Sequence, residues 1–508
     1  MASISPATLP HLLVHHVLTF LCPLDGLASF GRASVQSAEA LRVPGSVWAS
    51  WLSTFFGPRL SAEAPAEGCA DARGLLKRLW SLSDAQWCRL PAERPAPSRR
   101  EWFAAVEVPA DGGGYVLLHG GRSVRDSTAS SSGLRHEFFG ALWRLDFSRS
   151  AFPGGQSVRH ASWREVEARG PDPGQRAHHD ACCLGGRYLM IHGGLRPEGY
   201  RDNDTFLLDL QQDPPLWCEV SPGRVHSPAR PTARFHHSFT PLRDGRRAVV
   251  FGGHDRTMST IADAALFDLS RPGDGPASPP TWLLERSPRQ GLGQSVVFTT
   301  GPPPRARHTA SALGTGRLVM FGGNVGARFH DGSRHPEVVN DLWLFDADAL
   351  SWHELHPAPG PVPDGRQYHS SFMTSSGMLV VSGGCDWRAA PVDSADSHWI
   401  LDMSSACGAE LSPLPPWQEV KTQSSSPGCL APPLLLASLR EVKGHAIAFG
   451  GYTFSSLRSF DNFGDPSSFA DDEGDGATPW PGSGFRALAA PLHPALRGAW
   501  RALDLGRA

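Results

Sequence analysis

The stretch RLVMFGGN, residues 317–324, decides how this chain folds. An arginine and four apolar residues form a segment typical of a buried strand, and Gly322-Gly323 follow at once. Adjacent glycines weaken a strand, so the backbone must need their conformational freedom there. The same arrangement occurs six times, with the glycine pairs at Gly120-Gly121, Gly193-Gly194, Gly252-Gly253, Gly322-Gly323, Gly383-Gly384 and Gly450-Gly451. A motif that recurs at intervals of 59 to 73 residues indicates a repeat architecture.

Three further signals keep register with the glycine pairs. An apolar segment that closes on aspartate follows each pair, and the aspartates are Asp146, Asp209, Asp268, Asp346, Asp402 and Asp504. A tryptophan segment comes next in five units, at Trp163, Trp217, Trp282, Trp352 and Trp417. An Arg-x-x-His signal precedes four units, at Arg176/His179, Arg234/His237, Arg305/His308 and Arg366/His369. Each unit therefore predicts four short strands separated by turns, which is a four-stranded antiparallel meander.

The number of strands balances only if the repeats close into a ring. Six glycine strands and six aspartate strands are followed by five tryptophan strands, and the missing strand stands at the front, around Trp87 in QWCRLP. We therefore predict a mainly β protein with a six-bladed β-propeller over residues 86–508. In this ring the Trp87 strand completes the last blade by pairing with the ALDL segment, residues 502–505. Ring closure removes the free sheet edges that would otherwise pair with other chains.

This set of motifs resembles the kelch repeat. The resemblance covers about residues 86–508 and rests on the glycine pairs, the aspartate strands and the tryptophan strands. It departs at RREW (99–102), at CLAP (429–432) and in the long segment 452–485, which is acidic and rich in serine and glycine in part. We expect the glycines to serve a sharp turn in a crowded ring, and the tryptophans to pack one blade on the next.

The first 56 residues carry a different pattern. Apolar residues at Leu13, Val17 and Leu21 have helical spacing. Two further short helices are predicted over DGLASFGRAS and SVWASWLSTFF, so that residues 1–56 form a small helical domain with exposed apolar surface. Residues 57–85 are predicted to be a linker with one helix.

The helical domain resembles an F-box, through Leu9-Pro10 at the start of the first helix, the apolar stripe that follows, and Trp48. An F-box docks on a Skp-type adaptor, which joins it to a cullin scaffold, so the resemblance implies a subunit of an SCF-type ubiquitin ligase. The adaptor contacts that it implies are Leu9, Pro10, Leu13, Val17, Leu18, Leu21 and Leu24. The alternative is a helical cap that only shields one end of the propeller.

Composition narrows the partners and the compartment. The formal net charge of −3 gives no reason to expect nucleic acid or an anionic membrane as partner. Nine scattered cysteines without a C-x-x-C indicate a reduced interior, and no apolar run approaches the roughly 18 residues that a membrane span needs. The N-terminal stretch LLVHHVLTFLCPL lacks the basic region of a signal peptide. We expect a cytoplasmic or nuclear protein.

The sequence gives little material for catalysis. RAHHDACC places His178, His179, Cys182 and Cys183 within six residues, but alternate residues of a strand point to opposite faces, and no second cluster has the spacing of metal ligands. There is no G-x-S-x-G, P-loop or H-E-x-x-H motif, and five tyrosines leave little for a copper-radical oxidase, a class that shares this fold. We expect no enzyme activity, no metal and no cofactor.

The function that these features predict is substrate recognition: the helical domain binds the ligase core, and the propeller binds the protein to be ubiquitinated. The alternatives are a kelch scaffold without a ligase connection and a propeller enzyme. In a four-stranded meander, the connection into the first strand and the connection from the second to the third strand lie on the same face. We predict that this face binds an acidic or phosphorylated client segment through Arg99, Arg100, His178, His236, Arg307 and Tyr368. The alternative for the arginine that opens each Arg-x-x-His signal is that it anchors its own blade.

Overall fold

A computed structural model describes the propeller part of the chain, within the compact unit 82–508. The described residues are 86–90, 92–93, 95–98, 100–110, 114–126, 134–152, 155–220, 231–269, 282–283, 301–326, 336–374, 377–388, 390–393, 397–407, 413–421, 423–424, 438–442, 445–449 and 487–491. The predicted helical domain, its adaptor contacts and the linker 57–85 lie outside the described residues. No helix in these ranges is long and apolar enough to cross a membrane.

Short strands dominate, as the turn-rich sequence predicts. The first strand of the described residues is β1 (Gln86–Leu90). Blade one and its hairpin contain β2 (Ala92–Glu93), β3 (Ala104–Val108), β4 (Tyr115–His119), β5 (Arg122–Asp126), β6 (Leu134–Phe138), β7 (Leu142–Phe152) and β8 (Gly155–Glu165). Blade two contains β9 (Asp180–Leu184), β10 (Tyr188–His192), β11 (Thr205–Asp209) and β12 (Leu216–Glu219). Blade three contains β13 (Ser238–Pro241), β14 (Arg247–Phe251), β15 (Ala264–Asp268) and β16 (Trp282–Leu283).

The second half of the chain continues in the same way. Blade four contains β17 (Arg305–Ala306), β18 (Thr309–Leu313), β19 (Arg317–Gly326), β20 (Pro336–Asp346) and β21 (Ser351–Leu355). Blade five contains β22 (Ser370–Met373), β23 (Met378–Ser382), β24 (Ser397–Asp402) and β25 (Gln418–Lys421), with a 3₁₀ helix at Ser404–Cys407. The last strands among the described residues are β26 (Gln423–Ser424), β27 (Ser438–Val442), β28 (His445–Phe449) and β29 (Ala487–Pro491).

Each blade is an antiparallel meander that runs from the inside of the ring outward. In blade two the strand order is β9-β10-β11-β12, and Tyr188 pairs with Leu184 on one side and with Asp209 on the other. The glycine pair follows β10 at one end of the blade, which we call the glycine face. Leu216, which pairs with Asp209, lies at the opposite end. The innermost strands β3, β9, β13, β18 and β22 contact one another in sequence and line a central cavity of about 430 Å³.

The prediction of six like blades is wrong: the structure shows five. The remaining strands form a composite sheet in the order β27-β28-β29-β1, with β26 at its edge. Its strand β27 contacts both β22 of blade five and β3 of blade one. The sheet differs from the blades because its strands come from both ends of the chain, and because β28 and β29 are separated by the long segment that interrupts the repeat pattern.

The antiparallel partner that the structure shows for the Trp87 strand differs from the predicted one. The strand β1 pairs with β29, with Cys88 opposite Ala489, whereas the predicted partner, residues 502–505, lies outside the described residues. The physical reason is that two short apolar segments, ALAAP and ALDL, follow the long insertion. Because loop closure depends only weakly on loop length, spacing could not choose between them.

The core lies between blades, in clusters formed by the facing sheets of neighbouring blades. Along β10, Leu189 and Ile191 pack toward blade one, whereas Met190 packs with Phe239 of blade three. The tryptophan segments add to these cores, and the prediction that they join blades is confirmed. The ring centroids of Trp352 and Phe251 are 4.8 Å apart, across the boundary between blades four and three. Trp417 of blade five likewise lies 5.4 Å from Phe321 of blade four, and Trp217 of blade two lies 6.3 Å from His119 of blade one.

Candidate functional site

The arginine that opens each Arg-x-x-His signal is buried and anchors its own blade. Its Nη1 donates to the carbonyl of the first glycine of the same blade, at 2.9 Å for Arg176 and 3.0 Å for Arg234. Arg305 and Arg366 make the same bond. So does Arg100, at 3.1 Å, which shows that RREW belongs to this series with Phe103 in the place of the histidine. The alternative interpretation of these arginines is therefore the correct one.

Four of these arginines are also neutralised by a carboxylate. Arg176 pairs with Asp204 at 2.8 Å, and Arg234 pairs with Asp263 at 2.7 Å. The remaining pairs are Arg305 with Asp341 and Arg366 with Asp393. Because charge and donors are both used inside the blade, these side chains add little positive potential to the glycine face.

The glycine pairs form the contact between successive blades. The N–H of the second glycine donates to the carbonyl of the arginine in the next blade, at 2.9 Å from Gly194 to Arg234 and 2.8 Å from Gly253 to Arg305. The first glycine lies so close to the same carbonyl that a Cβ on Gly193 would stand 2.6 Å from it. Both glycines of each described pair have positive φ, between 63° and 99°. The prediction of a sharp turn in a crowded ring is confirmed.

The third residue of each signal points instead toward the central cavity. These residues are Trp102, His178, His236, Arg307 and Tyr368, which we call the channel ring. All five have left-handed backbones with φ between 56° and 60°, a conformation that is unfavourable for bulky side chains. Successive members are linked by backbone hydrogen bonds, among them His178 N–H to the Trp102 carbonyl at 2.9 Å and Arg307 N–H to the His236 carbonyl at 3.0 Å.

Side chains of the channel ring meet across the cavity. The indole of Trp102 lies 4.3 Å from the ring of His178, 5.0 Å from that of His236 and 5.1 Å from that of Tyr368, between centroids. His178 Nδ1 and His236 Nε2 are 2.7 Å apart and share one hydrogen bond. Arg307 donates to Gln367 Oε1 at 3.0 Å, and its Cζ lies 4.7 Å from the centre of the Tyr368 ring. Residues of four blades thus form one aromatic cluster.

Burial shifts the pKa values of the two histidines and the tyrosine of this cluster. Burial, followed by the charges of Arg122 and Arg307, holds the pKa of His178 well below its usual range. Burial and then the neighbouring His178 do the same for the pKa of His236. Burial raises the pKa of the Tyr368 hydroxyl. At neutral pH the two imidazoles and the phenol are therefore uncharged.

The structure brings together four of the six predicted client-binding residues. His178, His236, Arg307 and Tyr368 belong to the channel ring. Arg100 does not, because its guanidinium is buried against Gly120 and over the Phe139 ring, 4.1 Å from its centroid. Desolvation lowers the pKa of Arg100 to about 10. Arg99 lies outside the described residues. Sequence reasoning missed Trp102, although its place in RREW, level with His178, is the signal that could have found it.

Three loops of the same length surround the cluster at the glycine face. They are residues 195–201, 254–260 and 385–391, which we call the rim loops, and each is closed by a β-bridge between its first and last residue. They carry three exposed large apolar side chains, Tyr200, Met258 and Trp387. None of the three is among the predicted client-binding residues. Within these loops, Arg196 pairs with Asp202 and Asp204.

The cysteine and histidine cluster of RAHHDACC is divided as predicted. Cys182 packs in the core between blades two and three, and Cys183 in the core between blades one and two. Burial raises the pKa of Cys183 to about 12. His179 Nε2 lies 3.1 Å from His119 Nδ1 in the contact with blade one. Within the described ranges, no three His, Cys, Asp or Glu side chains are grouped so that they could hold a metal ion.

Comparisons with known proteins agree with this architecture. Residues 223–451 match the family described as the KLHDC2/KLHL20/DRC7 Kelch-repeats domain. Adagio-like protein 1 of Oryza sativa subsp. japonica is 31% identical over 349 residues, which cover 61% of this chain and 51% of that protein. An F-box/kelch-repeat protein of Arabidopsis thaliana is 27% identical over 261 residues, which cover 51% of this chain and 45% of that protein.

A human relative has a different name. Host cell factor 2 of Homo sapiens is 28% identical over 253 residues, which cover 44% of this chain and 28% of that protein. The matches therefore span between 28% and 51% of the length of these three relatives. The match to the repeat family and the blades described above lead to one conclusion: the chain contains a kelch-repeat domain folded as a β-propeller.

Proposed function

We propose that this protein is the substrate-recognition subunit of an SCF-type cullin ubiquitin ligase. Residues 1–56 bind a Skp-type adaptor, and the glycine face of the propeller binds the protein that is ubiquitinated. The resemblance of residues 1–56 to an F-box supports the first part, as does similarity to a relative named F-box/kelch-repeat protein. The second part rests on the channel ring.

The channel ring supports client binding because its side chains are retained at a cost. A non-glycine residue in the left-handed region costs on the order of 1 kcal/mol or more, and here five bulky residues adopt it. The side-chain type changes from blade to blade, whereas the backbone geometry does not. A position whose geometry is fixed and whose chemistry varies is suited to recognition, since the shared scaffold holds different contact groups in place.

The chemistry of the ring defines what a client presents. Arg307 offers a planar guanidinium for a carboxylate or a phosphate, the ring of Tyr368 lies beside it, and Trp102 packs against Tyr368. The client segment is therefore acidic or phosphorylated at the residue that reaches Arg307. The chain itself performs no chemistry in this proposal and needs no cofactor. Other subunits transfer ubiquitin, and this one supplies proximity and orientation.

A second candidate function is a kelch scaffold without a ligase connection. It is favoured by the similarity to host cell factor 2, whose name contains no F-box. In that case the glycine face would still bind a protein partner, but residues 1–56 would not bind the adaptor. The two candidates differ in this single interaction.

The adaptor experiment uses the full chain. Wild type and the triple variant Leu9→Ala/Pro10→Ala/Val17→Ala are expressed with an affinity tag together with a Skp-type adaptor and cullin. We expect the wild type to retain the adaptor on purification and the triple variant to lose at least nine-tenths of it, with an unchanged melting temperature of the propeller. Equal adaptor retention by both proteins would remove the ligase role.

Client capture is measured on the same proteins by proximity labelling in cells. Arg307→Gln should reduce labelling of clients. Raising the salt concentration in a pull-down with the wild type should reduce client binding in the same way, because salt screens the charge attraction at the glycine face. Arg246→Gln is the matched control, since Arg246 is exposed in the turn between β13 and β14 at the opposite end of its blade. Equal loss in both variants would show that the effect is not specific to the ring.

A further inference from the structure

Exposed apolar side chains are concentrated on the glycine face. Among the described residues, five large apolar side chains are exposed: Tyr200, Leu216, Met258, Val362 and Trp387. Three of them lie in the rim loops, and Val362 lies between β21 and β22, a connection whose two ends are both on the glycine face. Leu216 alone lies at the opposite end of its blade. Tyr200 is 70% exposed and Trp387 is 45% exposed, so the fold gains little from burying them.

The rim loops hold these side chains on a fixed backbone. The second residue of each loop donates the same hydrogen bond: the N–H groups of Arg196, Asp255 and Asp386 each donate to the carbonyl four residues on, at 2.9 Å. Carboxylates then fix two of the loops from inside. Asp255 Oδ1 accepts from the N–H groups of Thr257 and Ser259, and Asp386 Oδ1 accepts from those of Arg388 and Ala390. Loops that are ordered before binding lose less entropy when a partner docks.

Met258 is retained where glycine would relax the backbone. Its φ is 65°, and the equivalent position of the blade-two loop is Gly199, with φ of 82°. A side chain in this conformation is strained, and this one still leaves 36% of its surface exposed. Arg201 of the neighbouring loop places Nη2 3.2 Å from the Met258 sulfur, which joins the two loops into one surface.

Each apolar side chain of the rim stands next to an arginine. Arg201 follows Tyr200, Arg256 lies two residues before Met258, and Arg388 follows Trp387. The Arg388 Cζ lies 4.5 Å from the Trp387 ring centroid, and the side chains of Arg256 and Arg388 are exposed. One oxygen each of Asp255 and Asp386 is turned into its own loop. The surface therefore offers apolar area beside outward guanidinium groups.

We propose that the rim loops form a docking surface for a segment of another protein in which apolar side chains are interleaved with carboxylates. Methionine and aromatic side chains supply the apolar contact, and the adjacent arginines pair with the carboxylates through their planar forks. The inference rests on the proposed role of the glycine face in client binding and adds the chemistry of the client. It is independent of whether residues 1–56 bind the adaptor.

The test uses the full chain and defined peptides. The probes are fluorescein-labelled 12-residue peptides composed of Phe, Leu, Asp and Glu, a set with Lys in place of the acids, and a set with Ser in place of the apolar residues. Binding is measured by fluorescence anisotropy. We expect the acidic–apolar set to bind at least tenfold more tightly than the other two. No binding to the wild type, or equal binding of the three sets, would overturn the proposal.

Variants locate the surface. Tyr200→Ser/Trp387→Ser and Arg388→Glu should each weaken binding of the acidic–apolar peptides about tenfold, whereas Leu216→Ser at the opposite end should not change it. Met258→Gly is the sharpest variant, because it releases backbone strain: its melting temperature should not fall, while its affinity does. If rim variants bind like wild type, the rim proposal fails even when adaptor binding is intact. Loss of the adaptor interaction without loss of peptide binding would instead affect only the ligase role.

Discussion

Each four-residue Arg-x-x-His signal at the glycine face contains two kinds of position, which differ in what their side chains contact. In Arg234-Phe235-His236-His237, the first and fourth residues are buried in contacts that recur in other blades, whereas the third belongs to the channel ring. The repeated positions close each blade and join it to its neighbour. The channel-ring positions have the same backbone in every described blade but carry indole, imidazole, guanidinium or phenol. Positions whose contacts recur from blade to blade thus maintain the fold, whereas positions with a fixed backbone and a varying side chain form the surface available for binding.

The difference also concerns electrostatics. Arg234 is matched by Asp263 within its own blade, so its charge is neutralised where it is generated. Arg307 donates to the amide oxygen of Gln367, lies over the face of Tyr368 and lines the central cavity. Two arginines that look alike in the sequence therefore differ in their place, since one anchors its own blade and the other faces the cavity. Substitutions that should destabilise the fold at one kind of position and spare it at the other test this difference.

The largest expected effect is at the glycine pairs. A Cβ on Gly194 would lie 2.7 Å from the His179 Cβ and 2.9 Å from the Ala177 carbonyl, at a φ of 99°. Gly194→Ala should lower the free energy of unfolding by about 3 kcal/mol, through backbone strain of about 1–2 kcal/mol and overpacking of about 1–3 kcal/mol. Denaturant unfolding followed by tryptophan fluorescence measures this.

The matched control for that substitution is Gly199→Ala. Gly199 also has positive φ, at 82°, but a Cβ there would meet no atom within 4 Å. Only the strain of the left-handed backbone acts at this position, so the free energy of unfolding should fall by about 1 kcal/mol. If the two variants lost the same stability, the close approach of Gly194 to His179 and Ala177 within blade two would not be the reason for glycine at this position.

An intermediate effect is expected from the buried histidines as pH falls. Burial lowers the pKa of three of them to about 3, namely His119, His254 and His369. Their unfolded value is near 6.5, so below that pH the unfolded chain binds protons that the folded chain excludes. The stabilisation by each neutral imidazole is complete above about pH 6.5 and falls by about 1.4 kcal/mol for every pH unit below it.

Urea unfolding between pH 7.5 and 5 measures this slope. In His369→Gln the slope should be smaller by about 1.4 kcal/mol per pH unit, since glutamine keeps a group able to bond Thr309 but does not titrate. His353→Gln, at an exposed position of β21, controls for the substitution itself. An unchanged slope in His369→Gln would mean that this imidazole is not kept neutral by the fold.

Repetition also determined how much could be predicted from the sequence. The meander, the glycine turns and the inter-blade tryptophans followed from columns that recur in several units. The carboxylate partners were missed although a signal exists: Asp204, Asp263 and Asp341 each stand five residues before the aspartate that closes the apolar segment of the unit, at Asp209, Asp268 and Asp346. Their distance of 28 to 36 residues from the arginines hid the pairing.

The composite sheet and the rim loops could not be predicted for a different reason. In the composite sheet, two segments, ALAAP and ALDL, could occupy one strand position, and only the three-dimensional pairing distinguishes them. In the rim loops, the alignment of Tyr200, Met258 and Trp387 on one face depends on loops of equal length whose apolar residues occupy different places. A column-by-column comparison of the repeats does not collect them, because they share a surface and not a sequence position.

The smallest expected effect on stability is at the channel ring itself, at Arg307. Arg307→Gly removes the bond to Gln367 and the contact with Tyr368, but it also releases a left-handed backbone with φ of 60°. The lost contacts and the released backbone strain are each of the order of 1 kcal/mol, with opposite signs. Glycine also raises the entropy of the unfolded chain, by an amount of about the same size. The free energy of unfolding should therefore change by no more than about 1 kcal/mol. Arg305→Gly is the comparator two residues away: it breaks the buried pair with Asp341 and must be clearly more damaging. Thermal melting of the two variants measures the difference. If Arg307→Gly proved as destabilising as Arg305→Gly, the channel ring would belong with the structural positions, and its variation from blade to blade would need another explanation.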